Sequence, residues 1–507
     1  MGHGPPRSHV SRRVFIATGA AGALGLLGCA DGAAKRSATL AGDGADSLPE
    51  PDAAPDSVGQ DTGFDPDAAD GAEVTELADS DPGPDASPST RFDPGAIPDA
   101  SQAVFPIGVG ATEPVVGGAI LSTRYLGTGA LECVVWRTDS AEPDGPLVLR
   151  QGLATAEGGF AQLDVSGLEP SAEHRFAFVG PEGKGPVGRF RSPPEADAKP
   201  VVVLGASSCA KWNYRPFDVL THAANADLDL FLLLGDTTYA DDATTLDEYR
   251  ANWTRNLDTA EYRALRSSTM CAATWDDHEV ANNWDPETFD PERLAAARQA
   301  FFEHMAPRRT PGVPERIWRS LRWGATVEVF ILDCRSERRP STRDGASAEY
   351  ISPAQLDWLE TSLAASTAVF KLIVSSVPVT RWPLLYLASD QRWQGYAAQR
   401  DRVLALVANI PGALWLAGDF HFGAVAHVDP PGYPHADQLE ILVGPIGHIN
   451  PALAIVQATG SPEQFPFLSG ERNFGRFTLD PGASPPRITI EHVGSAGQVL
   501  STFVFEV

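Results

Sequence analysis

The chain has 507 residues, 43% of them hydrophobic, and a formal net charge of -27 at pH 7. This length allows two or more domains, each with its own hydrophobic core. The acidic balance argues against a nucleic-acid-binding surface, because the phosphate backbone selects basic proteins. Four cysteines besides Cys29 show no close spacing, so no disulfide scaffold is expected, although a single disulfide stays an open alternative. These four are Cys133, Cys209, Cys271 and Cys334.

Residues 1–28 are predicted to be an export signal. Residues 11–16 read Ser-Arg-Arg-Val-Phe-Ile, a twin-arginine signature, and the apolar run that follows is too short for a permanent membrane span. The run ends in Leu-Leu-Gly-Cys, the pattern at which a bacterial lipoprotein signal is cut and the new N-terminal cysteine is acylated. We therefore expect export by the twin-arginine route and a lipid anchor on Cys29, which places the protein in the periplasm or at the cell surface.

Residues 29–100 are predicted to be a disordered acidic linker. Between residues 41 and 100 the chain consists mainly of Asp, Ala, Pro, Gly and Ser, with sixteen acidic side chains and one arginine. Such a segment buries too little apolar surface to offset the entropy of ordering it, and its like charges repel one another. We expect it to act as a tether.

Residues 101–196 are predicted to form a small β domain. Apolar stretches at residues 131–136, 160–165 and 174–179 alternate at period two and are separated by turn residues. Within residues 167–178, Gly-Leu-Glu-Pro followed by Arg-Phe-Ala-Phe resembles the late-strand corner of fibronectin type III sandwiches. The segment has no cluster of chemically able side chains, so we expect a fibronectin-like β-sandwich that serves as a spacer or positions substrate.

Residues 197–507 are predicted to form a layered α/β/β/α catalytic domain. A buried strand at residues 201–205, a helix at 217–226 and a second buried strand at 228–234 form a βαβ unit. The alternation continues to the C-terminus. Further helices are predicted at residues 353–365 and 400–408, and further strands at 270–275, 327–332, 370–374, 413–417, 439–443, 476–479, 487–492 and 499–505.

Metal-capable side chains follow four of these strands. In open α/β sheets, ligands collect beyond the carboxyl ends of the strands, so we expect these side chains to meet. Taken singly, Cys209 could be a small buried hydrophobe and Asp236 a helix cap. Together they favour a metal site. The candidate residues are Cys209, Asp236, Tyr239, Asp277, His278, Asn283, Asp419 and His421.

The donor types suit one softer, higher-valent ion and one or two hard, oxygen-preferring ions. An aspartate between two ions can bridge them. Closely spaced cations activate a water and neutralise the oxygens of an in-line displacement at phosphorus.

At these residues the chain resembles the metallophosphoesterase superfamily and, within it, the PhoD-like alkaline phosphatases. Residues 275–284, Trp-Asp-Asp-His-Glu-Val-Ala-Asn-Asn-Trp, carry the most specific part of the resemblance. It implies an Fe³⁺-type ion and Ca²⁺ sites that share Asp236 as a bridge. The Ca²⁺ sites would be served by Asp419 and by one asparagine of the pair Asn282 and Asn283, of which Asn283 is favoured. The implied ligands of the Fe³⁺-type ion are Cys209, Asp236, Tyr239 and His421.

The resemblance leaves three side chains with two readings each. Asp277 would bind a metal or orient a ligand, and His278 would protonate the leaving alkoxide or support a ligand. Arg335 would clamp the substrate phosphate or lie in a buried ion pair. A further histidine of the superfamily, expected near residues 370–377, is absent, and Ser375 and Ser376 stand there, which bears on the second metal site.

The predicted function is hydrolysis of phosphate esters, with phosphodiesters first and monoesters second, outside the cytoplasmic membrane. One alternative is a catalytically silent, lipid-anchored surface binding protein on the same fold. Another is a phosphodiesterase specific for a phospholipid or a polymer, because substrate choice depends on loops that the motifs do not describe. The candidate ligand set is complete in the sequence, which favours an enzyme.

Overall fold

The computed structural model describes residues 15–16, 91–137, 145–382, 389–448 and 453–507. Apart from residues 15–16, the predicted export signal lies outside these residues, as do the lipid-anchor cysteine Cys29 and the predicted linker up to residue 90, and all three stay predictions. Residues 91–100, predicted as disordered linker, are described and include a strand at Arg91–Phe92, where Phe92 is buried. No helix within the described residues is long and apolar enough to cross a membrane. Four cysteines are described; all are buried and free of disulfide bonds.

The described residues form seven α-helices and 23 strands. The helices are α1 Asp218–Ala224, α2 Leu246–Leu257, α3 Ala260–Ser268, α4 Pro291–Met305, α5 Pro353–Ala365, α6 Ala397–Ala408 and α7 Leu453–Thr459. The strands are β1 Phe15–Ile16, β2 Arg91–Phe92, β3 Val109–Val115, β4 Gly118–Arg124, β5 Leu131–Arg137, β6 Gly145–Leu153, β7 Phe160–Val165, β8 Glu173–Gly180, β9 Gly183–Lys184, β10 Gly188–Arg191, β11 Val202–Ser207, β12 Leu230–Leu234, β13 Met270–Thr274, β14 Arg319–Trp323, β15 Val327–Ile331, β16 Phe370–Ser375, β17 Ala413–Ala417, β18 Gly423–His427, β19 Leu439–Leu442, β20 Phe467–Ser469, β21 Asn473–Asp480, β22 Arg487–Gly494 and β23 Val499–Glu506.

Two large sheets pack face to face. The first has the strand order β1-β23-β22-β21-β11-β12-β13-β3-β4-β7, and the second has the order β14-β15-β16-β17-β19-β18-β20. Leu204 and Leu232 of the first sheet share one apolar core with Leu372 and Leu416 of the second. Neighbouring strands at the centre of each sheet are parallel and buried on both faces, which explains their continuous apolar sequences.

Helices cover the outer faces of both sheets. Trp253 of α2 and Phe301 of α4 belong to the core that includes Phe231 of β12, on the first sheet. Leu359 of α5 and Leu404 of α6 belong to a separate core on the outer face of the second sheet. The layer order is therefore α/β/β/α, as the sequence predicts.

The β segment that precedes this domain shares a sheet with it. Strands β10-β8-β5-β6-β2 form a third sheet, with β9 paired to β8, but β3, β4 and β7 extend the ten-stranded sheet. The junction is a parallel pairing of β3 with β13, in which Thr112 lies opposite Cys271. The apolar core is continuous across it, because Val135 and Phe176 join the cluster that contains Leu204. The fibronectin-like topology itself stays a prediction.

A buried ion pair joins this segment to the second sheet. Glu113 in β3 is 2% exposed, and both of its carboxylate oxygens accept from Arg319 Nε in β14, at 3.1 and 2.9 Å. Arg319 also donates to the Ala273 carbonyl in β13 at 3.2 Å. A buried charge that loses its partner destabilises a fold strongly.

We expect Glu113→Ala to lower the free energy of unfolding by about 3–5 kcal/mol, because Arg319 then stays buried without a counter-charge. Urea denaturation of the full chain measures this change. The matched control is Glu132→Ala, which removes a surface contact of 3.9 Å to Arg150 and should cost about 1 kcal/mol or less. Equal effects of the two substitutions would contradict the role of Glu113.

Candidate metal centre

The candidate residues lie where four strands end. Cys209 follows β11 by two residues, Asp236 follows β12 by two, Asp276 follows β13 by two, and Asp419 follows β17 by two. Strands β11, β12 and β13 run parallel, so their carboxyl ends meet at one edge of the first sheet. Strand β17 brings Asp419 to the same place from the second sheet.

Five of the candidate ligands have left-handed backbone. Their φ angles are 63° at Cys209, 53° at Asp236, 52° at Asn283, 60° at Asp419 and 57° at His421. Positive φ is uncommon for residues other than glycine, and such strain collects at functional sites, where the surrounding structure holds it in place.

Glu279 is part of the structure that holds this backbone. Its carboxylate is fully buried and accepts from the amides of Asp236 at 3.0 Å, Thr237 at 2.5 Å and Asp276 at 2.9 Å. Burial and the neighbouring Asp236 raise the pKa of Glu279 to about 8, and the three amides oppose that rise. One side chain thus fixes the segments that follow β12 and β13.

The first group of candidate ligands is brought together as predicted. Cys209, Asp236 and His421 offer ligand atoms that all lie within 4.8 Å of one another. Tyr239 Oη lies 3.1 Å from Asp236 Oδ2 and 3.3 Å from His421 Nε2. Sulfur, carboxylate, phenol and imidazole therefore converge on one point.

A second group adjoins the first through Asp236. Asp236, Asp277 and His278 offer atoms within 4.8 Å of one another, and Asp277 also forms such a group with Asp276 and Asp419. The Asn283 amide donates to Asp277 Oδ2 at 2.7 Å, which brings the backbone of Asn283 beside this group.

The buried oxygens of the two groups fit a cation. Among the described residues, neither Asp236 Oδ1 nor Asp277 Oδ1 has a hydrogen-bond partner, although both atoms are buried. A buried carboxylate oxygen without a donor is costly unless a positive charge compensates it. Burial and Asp236 raise the pKa values of the Cys209 thiol and the Tyr239 phenol well above their usual range. A bound cation would hold both groups deprotonated.

The chain is similar to known proteins in sequence and in structure. Residues 203–460 match the family described as PhoD-like phosphatase. The chain belongs to this family.

Individual relatives agree with that assignment. The chain is 27% identical over 401 residues to alkaline phosphatase D of Bacillus subtilis (strain 168), a match that covers 67% of this chain and 68% of that protein. It is similar to the structure of PhoD with a TM-score of 0.70 and 21% identity, covering 81% of this chain and 91% of the other. The purple acid phosphatase PPD1 of yellow lupin seeds has a TM-score of 0.55 at 13% identity, covering 78% and 74%. Family membership makes the chain a phosphoesterase, and the two structures share its fold.

The two readings of Arg335 are resolved by its contacts. In this PhoD-like chain, its guanidinium donates to both oxygens of Asp276, at 2.6 and 2.8 Å, and both side chains are 1% exposed. It also lies 3.5 Å from Asp419 Oδ1 and 3.7 Å from Asp277 Oδ1. Arg335 is therefore a buried ion-pair partner, which corrects the phosphate-clamp reading, because a fully buried guanidinium already paired with Asp276 has no face open to substrate.

Of the two serines that stand where the resemblance implies a further histidine, Ser376 contacts the centre. It donates from Oγ to Asp276 Oδ1 at 2.8 Å. Asp276 is thus engaged by Arg335 and Ser376 together. Both oxygens of Asp276 are therefore hydrogen-bonded, whereas Asp236 and Asp277 each keep one buried oxygen without a donor among the described residues.

His278 has a carboxylate partner that sequence reasoning missed. Its Nδ1 lies 2.6 Å from Asp241 Oδ1, and its ring packs 4.0 Å from the Tyr239 ring. Burial lowers the pKa of His278, but Asp236, Asp241 and Asp277 raise it to about 10. Burial raises the pKa of the neighbouring Asp277, but Arg335, His278 and the Asn283 amide together hold the pKa of Asp277 well below its usual range.

Two more residues of the centre were missed. Arg392 Nη1 lies 2.7 Å from Asp419 Oδ2, and the His448 ring stacks 3.9 Å from the His421 ring. Both lie on loops without periodicity or a motif. Asp241 had a usable signal, since it follows Tyr239 by two residues in the loop after β12.

We expect Asp236→Ala to lose most of its bound metal, because this carboxylate belongs to both ligand groups. Turnover should fall by ~100-fold or more, exceeding the usual effect of a residue that only supports a ligand. Elemental analysis of the purified full chain measures the first effect and an esterase assay the second. The control is Asp218→Ala, an exposed position in α1. Wild-type metal content in Asp236→Ala would exclude this aspartate as a ligand.

Proposed function

We propose that this chain hydrolyses phosphodiesters, and phosphomonoesters as a second class, outside the cytoplasmic membrane. The observation that carries the proposal is the pair of ligand groups that share Asp236 at the strand ends of a PhoD-like phosphatase. Each position where a metal ligand is predicted holds a side chain that can bind a metal, which favours an active enzyme over a catalytically silent binding protein. A phospholipid or a polymer remains an alternative substrate within the same chemistry.

The metals we propose are Fe³⁺ and Ca²⁺. A thiolate and a phenolate beside an imidazole suit the higher-valent ion, so Cys209, Tyr239 and His421 would hold Fe³⁺ together with Asp236. Oxygen donors suit Ca²⁺, which Asp236, Asp419 and Asn283 would hold, with Asp277 beside them. When bound, closely spaced cations activate a water and neutralise the phosphoryl oxygens.

His278 is the residue we propose to protonate the leaving oxygen. Asp241 engages its Nδ1, which leaves Nε2 for the substrate. The Asp241 carboxylate beside Nδ1 raises the pKa of His278 and so favours the imidazolium that a general acid needs. Asp241 acts through His278 and is a positioning residue.

The location we propose follows from the sequence alone. The twin-arginine signature at residues 11–16 and the Leu-Leu-Gly-Cys pattern that ends at Cys29 support export and lipid anchoring.

We expect the full chain, purified with its native metals, to hydrolyse a chromogenic phosphodiester faster than the corresponding monoester. Activity should require Ca²⁺ and disappear after chelation, because the metals supply the activation of water. Initial rates with and without chelator measure this. No turnover of either ester by protein that contains metal would favour the binding-protein alternative or a bulky substrate that the dye esters do not mimic.

We expect Asp241→Asn to move the alkaline limb of the kcat/KM profile to lower pH, by on the order of one pH unit. The sign follows from the charge: Asp241 favours the imidazolium, so its loss lowers the pKa of His278, and the acid form is lost at lower pH. The adjacent, exposed Asp242 provides the control substitution Asp242→Asn. An unmoved alkaline limb in Asp241→Asn would refute the role of the pair.

A further inference from the structure

We propose that Arg392 binds the substrate, with its guanidinium on a non-bridging oxygen of the scissile phosphoryl group. The inference rests on the proposed function in that the substrate is a phosphate ester. It adds a substrate-binding residue in the loop between β16 and α6 that no motif in the sequence indicates.

Arg392 lies at the centre, and its side chain is partly exposed. Its Nη1 lies 2.7 Å from Asp419 Oδ2, and Asp419 shares a group of closely spaced carboxylates with Asp276 and Asp277. The Arg392 side chain is 17% exposed, whereas that of Arg335 is 1% exposed. Of these two side chains, only that of Arg392 is in contact with solvent.

The position of Arg392 is fixed before substrate arrives. The preceding residue, Gln391, is buried; it accepts from Arg335 Nη1 at 2.8 Å and donates to the Asn283 carbonyl at 3.2 Å. The Arg392 guanidinium lies 4.0 Å from the centroid of the Phe420 ring. A guanidinium held by stacking and by an anchored neighbour loses little freedom when it binds an anion.

Among the charged groups of the centre, Arg392 has N–H donors available for an anionic substrate. Arg335 donates through two nitrogens to Asp276, whereas Arg392 donates through one nitrogen to Asp419. A phosphoryl group entering among several aspartates needs a cation with donors to spare, and a guanidinium matches paired phosphoryl oxygens. Arg392 donates to one oxygen of Asp419 through one nitrogen, so its other N–H groups can donate to the substrate.

A purely structural role makes a different prediction. If Arg392 only held Asp419 in place, its loss would lower metal content and leave the affinity of the metal-loaded protein for phosphate unchanged. Substrate binding predicts the reverse. The two roles are therefore separable by measuring phosphate affinity and metal content in the same variants.

The experiment compares Arg392→Gln and Arg392→Lys in the full chain. We expect Arg392→Gln to raise KM for the phosphodiester, and the dissociation constant for inorganic phosphate, by about tenfold or more, since a charged hydrogen bond is lost. Metal content and melting temperature should match the wild type, and Arg392→Lys should recover part of the affinity. The control is Arg381→Gln, because Arg381 pairs with Asp429 at 3.0 Å and is 40% exposed; both constants should stay unchanged in it.

The outcomes separate this inference from the proposed function. Phosphate binding is measured without turnover, so binding that depends on Arg392 in a protein that cleaves no ester would support this inference and contradict the proposed function. Wild-type phosphate affinity in a folded Arg392→Gln protein would overturn the inference. So would a loss of metal that accounts for the whole change in affinity.

Discussion

The centre depends on one buried carboxylate, that of Glu279. It accepts hydrogen bonds from three backbone amides in the segments after β12 and β13. These bonds keep Asp236 and Asp276 in fixed positions at the edge of the sheet. A carboxylate so deeply buried is costly, and hydrogen bonds from amides offset that cost. The hydrogen bond from the Asp236 amide to Glu279 helps to hold the left-handed backbone of Asp236 in place.

Sequence reasoning succeeded where local patterns and final structure agree. Helix α5 and strand β17 were predicted with the bounds that the structure has, because each is an apolar pattern with clear limits. Helices α2, α3 and α4 were missed, although Thr245, Thr259 and Asp290 cap their first turns and were readable as start signals. The pairing of β3 with β13 was not readable, because a contact between distant strands leaves no local pattern.

The candidate site residues also fall into those that the sequence could place and those that only the structure places. The meeting of candidate residues that follow strands, such as Cys209 and Asp419, was predicted because topology alone brings strand ends together. The distances that decide between two roles for Arg335 come only from packing, as do the loop positions of Arg392 and His448. Asp241 lies between these cases, since its spacing from Tyr239 was visible but its contact with His278 was not.

The centre also separates two kinds of negative charge. Arg335 compensates the charge of Asp276, and Ser376 donates a hydrogen bond to it. The Asp276 side chain is closed to solvent. Asp236 and Asp277 each keep a buried oxygen without a donor among the described residues, and Asp419 is held at the solvent side by Arg392. A site built only for stability would give the free oxygens of Asp236 and Asp277 donors too, because buried oxygens without a donor cost free energy. Asp276 thus fixes the local geometry, and the two free oxygens are the atoms whose charge a bound cation would compensate.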